Sequence, residues 1–493
     1  MGFTTNTFLF LFLPITIMAY YALYHYMNGR KDFTVGNICI AFVSYIFYSW
    51  ALNTNAIMLL FFTIIIYVFG KLIDISGDMQ LETNIYIDND RRTKKFKVSA
   101  VFAAFGILFA IYILYHFKYI QTVAPVVAKY FYIDVNKYSN ITVPVGISFI
   151  TFSAISYIAD IYKNEATSGS FLDCFVYMFY FPKIVSGPVV RWKDFEPQIK
   201  YHPTQTNEFV AGLNRIIVGF GKKTILADTF GAFVNSINGV QIDGITACMG
   251  WLAYALQIYY DFSGYSDIAI GLSKIFGISL YENFNFPYMS LSITEFWRRW
   301  HISLGSFFRE YVYIPLGGNR KGIRRTVINL GIVFLVTGIW HGAGMAYIIW
   351  GMIHGMCVII ERMVSDKQWY HRIPKIIKWL FTFVIVASLW QLFRFGNIEQ
   401  TIICFRHMMG IHSYTFIEKT WKIYATKKLV VFFIIGMVGA TLLGNRKIID
   451  CYNNMKENYL FYVLQEIILL GIMILSIAFM INSTYSPFIY FQF

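Results

Sequence analysis

The sequence has little charge for its length. Only 14% of its 493 residues are Asp, Glu, Lys or Arg, whereas 57% are hydrophobic and 19% are aromatic. Soluble globular domains carry about 25% charged residues, so this composition excludes that class and indicates a polytopic membrane protein. The net charge of +14 does not indicate nucleic-acid binding, because the basic residues lie in short clusters between apolar runs, as they do in cytoplasmic loops.

Signals for disulfides, metal sites and cleaved leaders are also missing. The six cysteines are scattered, without a C-x-x-C pair, so neither a disulfide framework nor a zinc site is predicted. No H-E-x-x-H motif and no local cluster of histidines and carboxylates is present, so no metal site is expected. The first apolar run has no Lys or Arg before it, which favours a retained span over a signal peptide.

Basic clusters set the expected topology. Arg30 and Lys31 follow the first apolar run, and the polar loop 74–97 ends in DNDRRTKKFK, so both loops are expected to face the cytoplasm. The pattern predicts an all-α protein with ten or eleven spans, a single transmembrane domain over residues 1–481 and both termini outside the cytoplasm. After the first, clear spans are expected near residues 33–50, 55–73, 98–117, 326–340, 343–361, 374–393, 427–443 and 459–481.

The region 118–290 does not divide cleanly into spans. Its apolar runs are uneven and are interrupted by Pro144, Gly146, Pro182, Gly187, Pro188, Gly264, Gly271 and Pro287. Short, broken apolar segments predict re-entrant or in-plane pieces. Such pieces occur at membrane depth only where protein covers the backbone or where they line a cavity.

Two histidines stand out in the segment 294–355. His341 lies in GIWHGAG between two apolar runs, and His301 lies in RRWHISLG. Fifteen residues from Thr326, at about 1.5 Å of rise each, do not cross the roughly 30 Å hydrocarbon core, so His341 is expected inside the membrane, at a turn loosened by glycines. An ionisable side chain there costs roughly 2.5–3.5 kcal/mol and is a functional candidate.

An imidazole suits proton transfer, because it can accept a proton from a hydroxyl nucleophile and later return it. Either histidine alone also fits a simpler interpretation, in which it hydrogen-bonds a neighbouring carbonyl or lies at the lipid interface. Several cations lie near His301 and are candidates for binding an anionic ligand, although Arg320 and Lys321 fit ordinary loop charges at least as well; the cations are Arg298, Arg299, Arg309, Arg320 and Lys321.

Longer motifs carry a family resemblance. The run EFWRRWHISLGSFFREYVYIPLGGNR, followed by Trp340-His341-Gly342, resembles the signature region of the alginate O-acetyltransferase-like branch of the membrane-bound O-acyltransferase (MBOAT) family. Residues 143–162, 181–195 and 259–278 are similar to that branch in the same order. The resemblance implies a ring of tilted helices around a central tunnel, a near-invariant histidine at His341 and a second functional histidine at His301.

The resemblance also implies an activity. The family moves an acyl group, usually acetyl, from a cytoplasmic thioester, here expected to be acetyl-CoA, towards a hydroxyl presented at the other face. His341 is then the base, and His301 orients the donor or polarises its carbonyl. Residues expected to bind the donor are Arg298, Arg299, Arg309, Trp297 and Trp300. Residues expected to line the tunnel are Asp261, Ser263 and Trp340, although Asp261 also suits pairing with a basic neighbour.

The expected setting is the cytoplasmic membrane of a bacterium. The expected acceptor is an extracytoplasmic polysaccharide, alginate-like or peptidoglycan, and an exported SGNH/GDSL-like acetyltransferase is the expected partner. No bound cofactor is expected beside the acetyl-CoA substrate.

The tail 482–493 adds a further motif. The run from Phe488 to Phe493 resembles the Phe-x-Tyr-x-x-Phe ending of a small single-span partner in bacterial D-alanylation systems. The corresponding hypothesis is that the tail enters the tunnel from outside and that Tyr490 is transiently acylated. The alternative is an interfacial anchor, since aromatic residues favour that zone.

Two other functions remain open at this point. A transporter or flippase of an acyl donor or glycan would also use broken helices and polar groups near the membrane midplane, although no internal repeat stands out. Transfer of D-alanine to teichoic acid would require a carrier-protein donor.

Overall fold

The computed structural model describes residues 2–27, 33–50, 53–87, 90–131, 134–138, 141–411, 419–482 and 488. Within these residues the chain is predominantly helical and packs as two compact units. Unit 1 comprises Met1–Gly212 and Leu272–Tyr281, and unit 2 comprises Leu213–Gly271 and Glu282–Phe493. The predicted helical fold is confirmed.

The elements in the first part of the chain are helices apart from one hairpin. They are α1 Leu13–Met27, α2 Thr34–Ser49, α3 Asn53–Ser76, β1 Gln80–Ile87, β2 Asp90–Lys97, α4 Val98–Leu114, α5 Ile120–Val127, α6 Ile147–Tyr162, α7 Phe171–Phe179, α8 Trp192–Lys200 and α9 Thr206–Phe220. Helices α3, α4 and α6 pack against one another in unit 1.

The remaining described elements are all helical. They are α10 Asp228–Ser236, α11 Gly244–Ile275, α12 Ile293–Arg299, α13 Ile302–Phe308, α14 Gly322–His341, α15 Met345–Val364, α16 Gln368–Arg372, α17 Lys375–Phe395, α18 Ile398–Met408, α19 Trp421–Tyr424, α20 Lys427–Ala440, α21 Arg446–Met455 and α22 Tyr459–Asn482. Short 3₁₀ segments occupy Val135–Tyr138, Pro287–Met289 and Leu442–Gly444, and π-helical segments occupy Phe8–Phe12, Tyr115–Tyr119, Gly221–Ala227 and Arg309–Tyr313.

Seven of the described helical stretches are long and apolar enough to cross a membrane. Three shorter apolar helices accompany them, over Phe8–Tyr24, Thr34–Ser49 and Ile147–Tyr162, which agrees with the lower end of the predicted count. Only 11% of the apolar stretch of α22 is buried. Apolar side chains that face outwards suit a lipid environment, in which helices satisfy their own backbone hydrogen bonds. The chain is therefore a multi-pass membrane protein.

The structure adds one detail to the sequence prediction and corrects another. The polar loop 74–97 contains an antiparallel hairpin in which Gln80 pairs with Lys97 and Ile87 with Asp90, because the run NIYI favours an extended backbone. Gly264 and Gly271 lie inside the unbroken helix α11. A Cβ at Gly264 would lie 2.9 Å from the carbonyl oxygen of Gly219, so this glycine permits close helix packing and does not break the helix.

The connection between α7 and α8 has the burial that a re-entrant piece requires. Residues 181–190 are all buried although they form no helix. The Nζ of Lys183 donates to the Oγ of Ser153 at 2.9 Å and lies 3.7 Å from the centre of the Tyr177 ring. The Tyr177 hydroxyl in turn donates to the carbonyl of Val190 at 2.7 Å. Protein groups thus replace the water that this loop would otherwise need.

Candidate active site

The candidate site is built on the hairpin of α14 and α15. His341 is the last residue of α14, and α15 begins at Met345. A Cβ at Gly338 would lie 2.6 Å from the carbonyl oxygen of Tyr347, and a Cβ at Gly351 would overlap the carbonyl oxygen of Phe334. Gly338 was expected to loosen the turn. It lies instead inside α14, where small residues let the two helix backbones approach closely.

His341 lies in an aromatic cage. Its ring centre is 4.7 Å from that of Trp340, 5.1 Å from Trp350 and 4.9 Å from Phe393. Only 6% of the residue is exposed. Electrostatic interactions in such a buried environment are stronger than in bulk water.

His301 has a strained backbone. Its φ of 47° and ψ of 51° fall in the left-handed region, which is unfavourable for a residue with a side chain. Hydrogen bonds on both sides hold this conformation: the Ile302 amide donates to the Asn283 carbonyl at 3.0 Å, and the Asn285 amide donates to the Arg299 carbonyl at 2.9 Å. Strain of this kind costs about 1–3 kcal/mol and is concentrated at functional sites.

The hydrogen bonds of His301 define its tautomer. Its Nδ1 lies 3.0 Å from the Oδ1 of Asn283, and that oxygen also accepts from the backbone amide of Ser303 at 3.3 Å and from its hydroxyl at 2.9 Å. Because the oxygen is an acceptor, Nδ1 carries the proton and Nε2 carries a lone pair. His301 lies outside the helices long enough to cross the membrane, and burial lowers its pKa to about 3, so the ring is neutral at physiological pH.

The two predicted histidines share a neighbour. The ring of Trp340 has its centre 4.7 Å from His341 and 6.5 Å from His301. The structure therefore brings together three of the sequence-predicted residues, although His301 and His341 are separated by forty positions in the chain.

The residues expected to bind the donor differ in their environments. Arg298 and Arg309 are exposed, whereas Arg299 pairs with Glu295 at 2.8 Å and donates to the carbonyl of Asn285 at 3.2 Å. Arg299 thus already interacts with neighbouring protein groups. The tryptophans of this motif are packed inward: the Trp300 ring centre lies 4.8 Å from that of Trp390, and Trp297 contacts Trp350 at 5.6 Å.

The polar residues predicted to line a tunnel are buried. Asp261 pairs with Lys223 at 2.9 Å, which is the basic neighbour that the alternative interpretation required, and Ser263 is 2% exposed. Tyr490 lies outside the described residues.

Sequence reasoning did not assign a role to His354 and Glu361 on α15. The indole N–H of Trp297 donates to Nδ1 of the fully buried His354 at 3.3 Å. The Glu361 carboxylate accepts from the backbone amides of Ile293 and Thr294 at 2.6 and 2.8 Å. Seven residues separate His354 and Glu361, so they share one face of α15. This spacing is visible in the sequence, and through these two contacts α15 holds α12.

Two buried histidines around one tryptophan in a helical, multi-pass membrane protein fit the class of membrane-embedded enzymes. The chain is a member of the membrane-bound O-acyltransferase family, MBOAT, which matches residues 38–390. This range includes His301, His341 and His354. The predicted family and the enzyme class of O-acyltransferase are thereby confirmed.

Individual similar proteins give a finer comparison than the family does. The chain is 33% identical to a probable alginate O-acetylase of Pseudomonas putida, over the full length of both proteins. It is 31% identical to a peptidoglycan O-acetyltransferase of Helicobacter pylori, over 83% of this chain and 80% of that protein. It is 30% identical to a teichoic acid D-alanyltransferase of Bacillus subtilis, over 48% of this chain and 61% of that one.

Proposed function

We propose that the protein moves an acetyl group from acetyl-CoA to a hydroxyl and thereby supplies the O-acetylation of a polysaccharide outside the cytoplasm. The observation that carries this proposal is the pair of buried histidines, His341 in its aromatic cage and neutral His301 beside the same tryptophan. The full-length and near-full-length similarity to proteins named for the O-acetylation of alginate and peptidoglycan supports the acetyl group and the type of acceptor.

In the proposed reaction His341 acts as base. It accepts the proton of the acceptor hydroxyl while the hydroxyl oxygen attacks the thioester carbonyl carbon. The carbonyl oxygen becomes negatively charged, the carbon–sulfur bond then breaks, and the leaving thiolate takes the proton back from the imidazolium. The products are an acetyl ester and the free thiol of CoA. Positioned acid–base catalysis of this kind contributes typically 10²–10⁴-fold.

His301 has a narrower role in this reaction than the sequence prediction gave it. Its Nε2 carries a lone pair in the neutral tautomer, so it accepts a hydrogen bond from an N–H or O–H of the substrate. It orients the substrate in this way and does not polarise the carbonyl.

The donor enters from the cytoplasmic side in this proposal. Exposed Arg298 and Arg309 are available to bind the phosphates of CoA, since guanidinium groups form paired hydrogen bonds with phosphate oxygens. The setting is the cytoplasmic membrane of a bacterium, with the basic loops inside and both termini outside.

The C-terminal tail is proposed to carry the acetyl group. Phe488 is 1% exposed; its ring centre lies 4.9 Å from that of Tyr265, and the Nζ of Lys223 lies 4.9 Å from the Phe488 ring centre. The burial of Phe488 within unit 2 supports the carrier hypothesis over an anchor at the lipid interface. Tyr490 then supplies the attacking hydroxyl and passes the acetyl group to an exported SGNH/GDSL-like partner.

Replacing Tyr490 by phenylalanine removes only the hydroxyl. With radiolabelled acetyl-CoA we expect wild-type protein to acquire label in its C-terminal peptide and the Tyr490→Phe variant to acquire none, with polymer acetylation reduced to background. Mass spectrometry of the peptide and a cell-wall ester assay measure the two effects. Tyr459→Phe, at a residue that is 77% exposed, is the control. A fully active Tyr490→Phe variant without acetyl-tyrosine in the wild type would refute the carrier role.

D-alanyl transfer is the second candidate, because the chain also matches a teichoic acid D-alanyltransferase over 48% of its length. Purified protein in nanodiscs, given labelled acetyl-CoA or a D-alanyl thioester of a carrier protein, distinguishes the two donors. The proposal predicts consumption of acetyl-CoA. Consumption of the carrier thioester alone would contradict it.

A further inference from the structure

Two buried hydrogen-bond donors near His341 have no role in the reaction described so far: Trp350 contacts His341, and His354 lies next to Trp350. Trp350 and His354 are both fully buried, and their ring centres are 4.9 Å apart. The ring centre of Trp350 lies 5.1 Å from that of His341. Among the residues that the structure describes, neither the Nε1 of Trp350 nor the Nε2 of His354 has a hydrogen-bond partner.

The tautomer of His354 follows from its other nitrogen. An indole N–H can only donate, and that of Trp297 donates to Nδ1 of His354 at 3.3 Å. Nδ1 is therefore unprotonated, and the neutral ring carries its proton on Nε2. A second contact stabilises the position of Trp297 relative to His354. Glu361, on the same face of α15, accepts hydrogen bonds from the first amides of α12, the helix that contains Trp297.

Both nitrogens thus carry N–H groups, and the ring of Trp350 contacts that of His341. A buried donor without an acceptor costs about 1–3 kcal/mol, and native proteins contain few of them. Two such donors in neighbouring rings favour the binding of a ligand group that accepts hydrogen bonds. A carbonyl oxygen has two lone pairs and accepts from both.

We propose that Trp350 and His354 donate hydrogen bonds to the carbonyl oxygen of the acyl group and stabilise its negative charge during attack. This inference rests on the proposed function. Trp350 and His354 supply the charge stabilisation that His301, with its lone pair, does not provide. The donors are fixed before the reaction in a buried aromatic setting, where such groups are most effective. The proton still moves through His341, so the balance of the reaction is unchanged.

Trp350→Phe removes the N–H and keeps an aromatic ring, and His354→Leu removes the imidazole. We expect each to lower kcat roughly 10²-fold, as loss of one such donor does elsewhere, with a smaller change in KM. His354→Gln retains a side-chain N–H and should recover part of the loss. Trp369→Phe, at a residue that is 56% exposed, is the matched control. Melting temperatures of all variants separate folding from catalysis.

Infrared spectroscopy gives a readout that a purely structural role would not change. Acetyl-CoA labelled with ¹³C at the carbonyl is bound to the His341→Ala variant, which we expect to turn it over about 10²–10⁴-fold more slowly than the wild type. The carbonyl stretch should lie below its value in water and should rise when Trp350→Phe is added. An unchanged stretch and unchanged kcat, or an effect on melting temperature alone, would mean that water satisfies these donors and would overturn the inference.

The same experiments separate this inference from the function on which it rests. If wild-type protein consumes acetyl-CoA while Trp350→Phe and His354→Leu retain its kcat, only the role of the donors is wrong. If wild-type protein consumes no thioester, both proposals are overturned.

Discussion

His341→Ala is expected to lower acetyl-CoA consumption by about 10²–10⁴-fold, because the acceptor hydroxyl then loses the base that removes its proton. His341 is only 6% exposed within the cage of Trp340, Trp350 and Phe393, so bulk water has little access to replace the imidazole. Release of CoA thiol by purified protein in nanodiscs measures the rate. We expect donor binding to change little, since His341 accepts a proton from the acceptor and does not hold the donor.

His371→Ala is the matched control for this substitution. His371 lies in the short helix α16 and is exposed, so its removal should leave the rate unchanged. A His341→Ala variant that folds and consumes acetyl-CoA at the wild-type rate would remove His341 from the reaction.

Lys223→Met is expected to have the largest effect on stability. The Nζ of Lys223 lies 2.6 Å from Asp228 and 2.9 Å from Asp261, and Lys223 and Asp261 are almost completely buried. Removing one partner of a buried ion pair leaves an uncompensated charge and typically costs about 3–5 kcal/mol. Loss of the ammonium also removes the cation beside Phe488. Thermal unfolding in detergent, followed by tryptophan fluorescence, measures the effect.

Two further variants test whether burial of the ion pair causes the loss of stability. The double variant Lys223→Met/Asp261→Leu replaces the buried pair by apolar side chains and should recover much of the stability. Lys222→Met, at the neighbouring and partly exposed lysine that pairs with Asp267, should cost less than about 1 kcal/mol. Equal losses for Lys222→Met and Lys223→Met would contradict the explanation by burial.

Most of the membrane spans could be predicted from the sequence, because length and hydropathy alone define a span. The predicted span 374–393 corresponds to α17 at Lys375–Phe395, and 459–481 corresponds to α22 at Tyr459–Asn482. Glycines were a poorer guide to the ends of helices. In the sequence pattern Gly264 and Gly338 resemble helix breaks, whereas each lies inside a helix where another backbone approaches closely.

The two central histidines of the candidate site could be singled out from the sequence, whereas their contacts could not. His341 and His301 stand out because ionisable side chains are rare in apolar surroundings. The tautomer of His301 depends on Asn283, eighteen positions earlier, and the partner of Asp261 is Lys223 on another helical segment. Such contacts form only in the folded chain. His354 resembles an ordinary core residue until Trp297 is seen to donate to it.

The most direct test of the central claim, that this protein performs acyl transfer and is not a transporter, uses acetyl-CoA with two labels. One isotope marks the acetyl group and another marks the CoA portion, and the doubly labelled donor is supplied on the cytoplasmic side of sealed proteoliposomes. The account predicts that the acetyl label becomes bound in an ester while the CoA label remains on the side of addition as free thiol, and that His341→Ala abolishes this separation. Both labels crossing the membrane together in intact acetyl-CoA would contradict it.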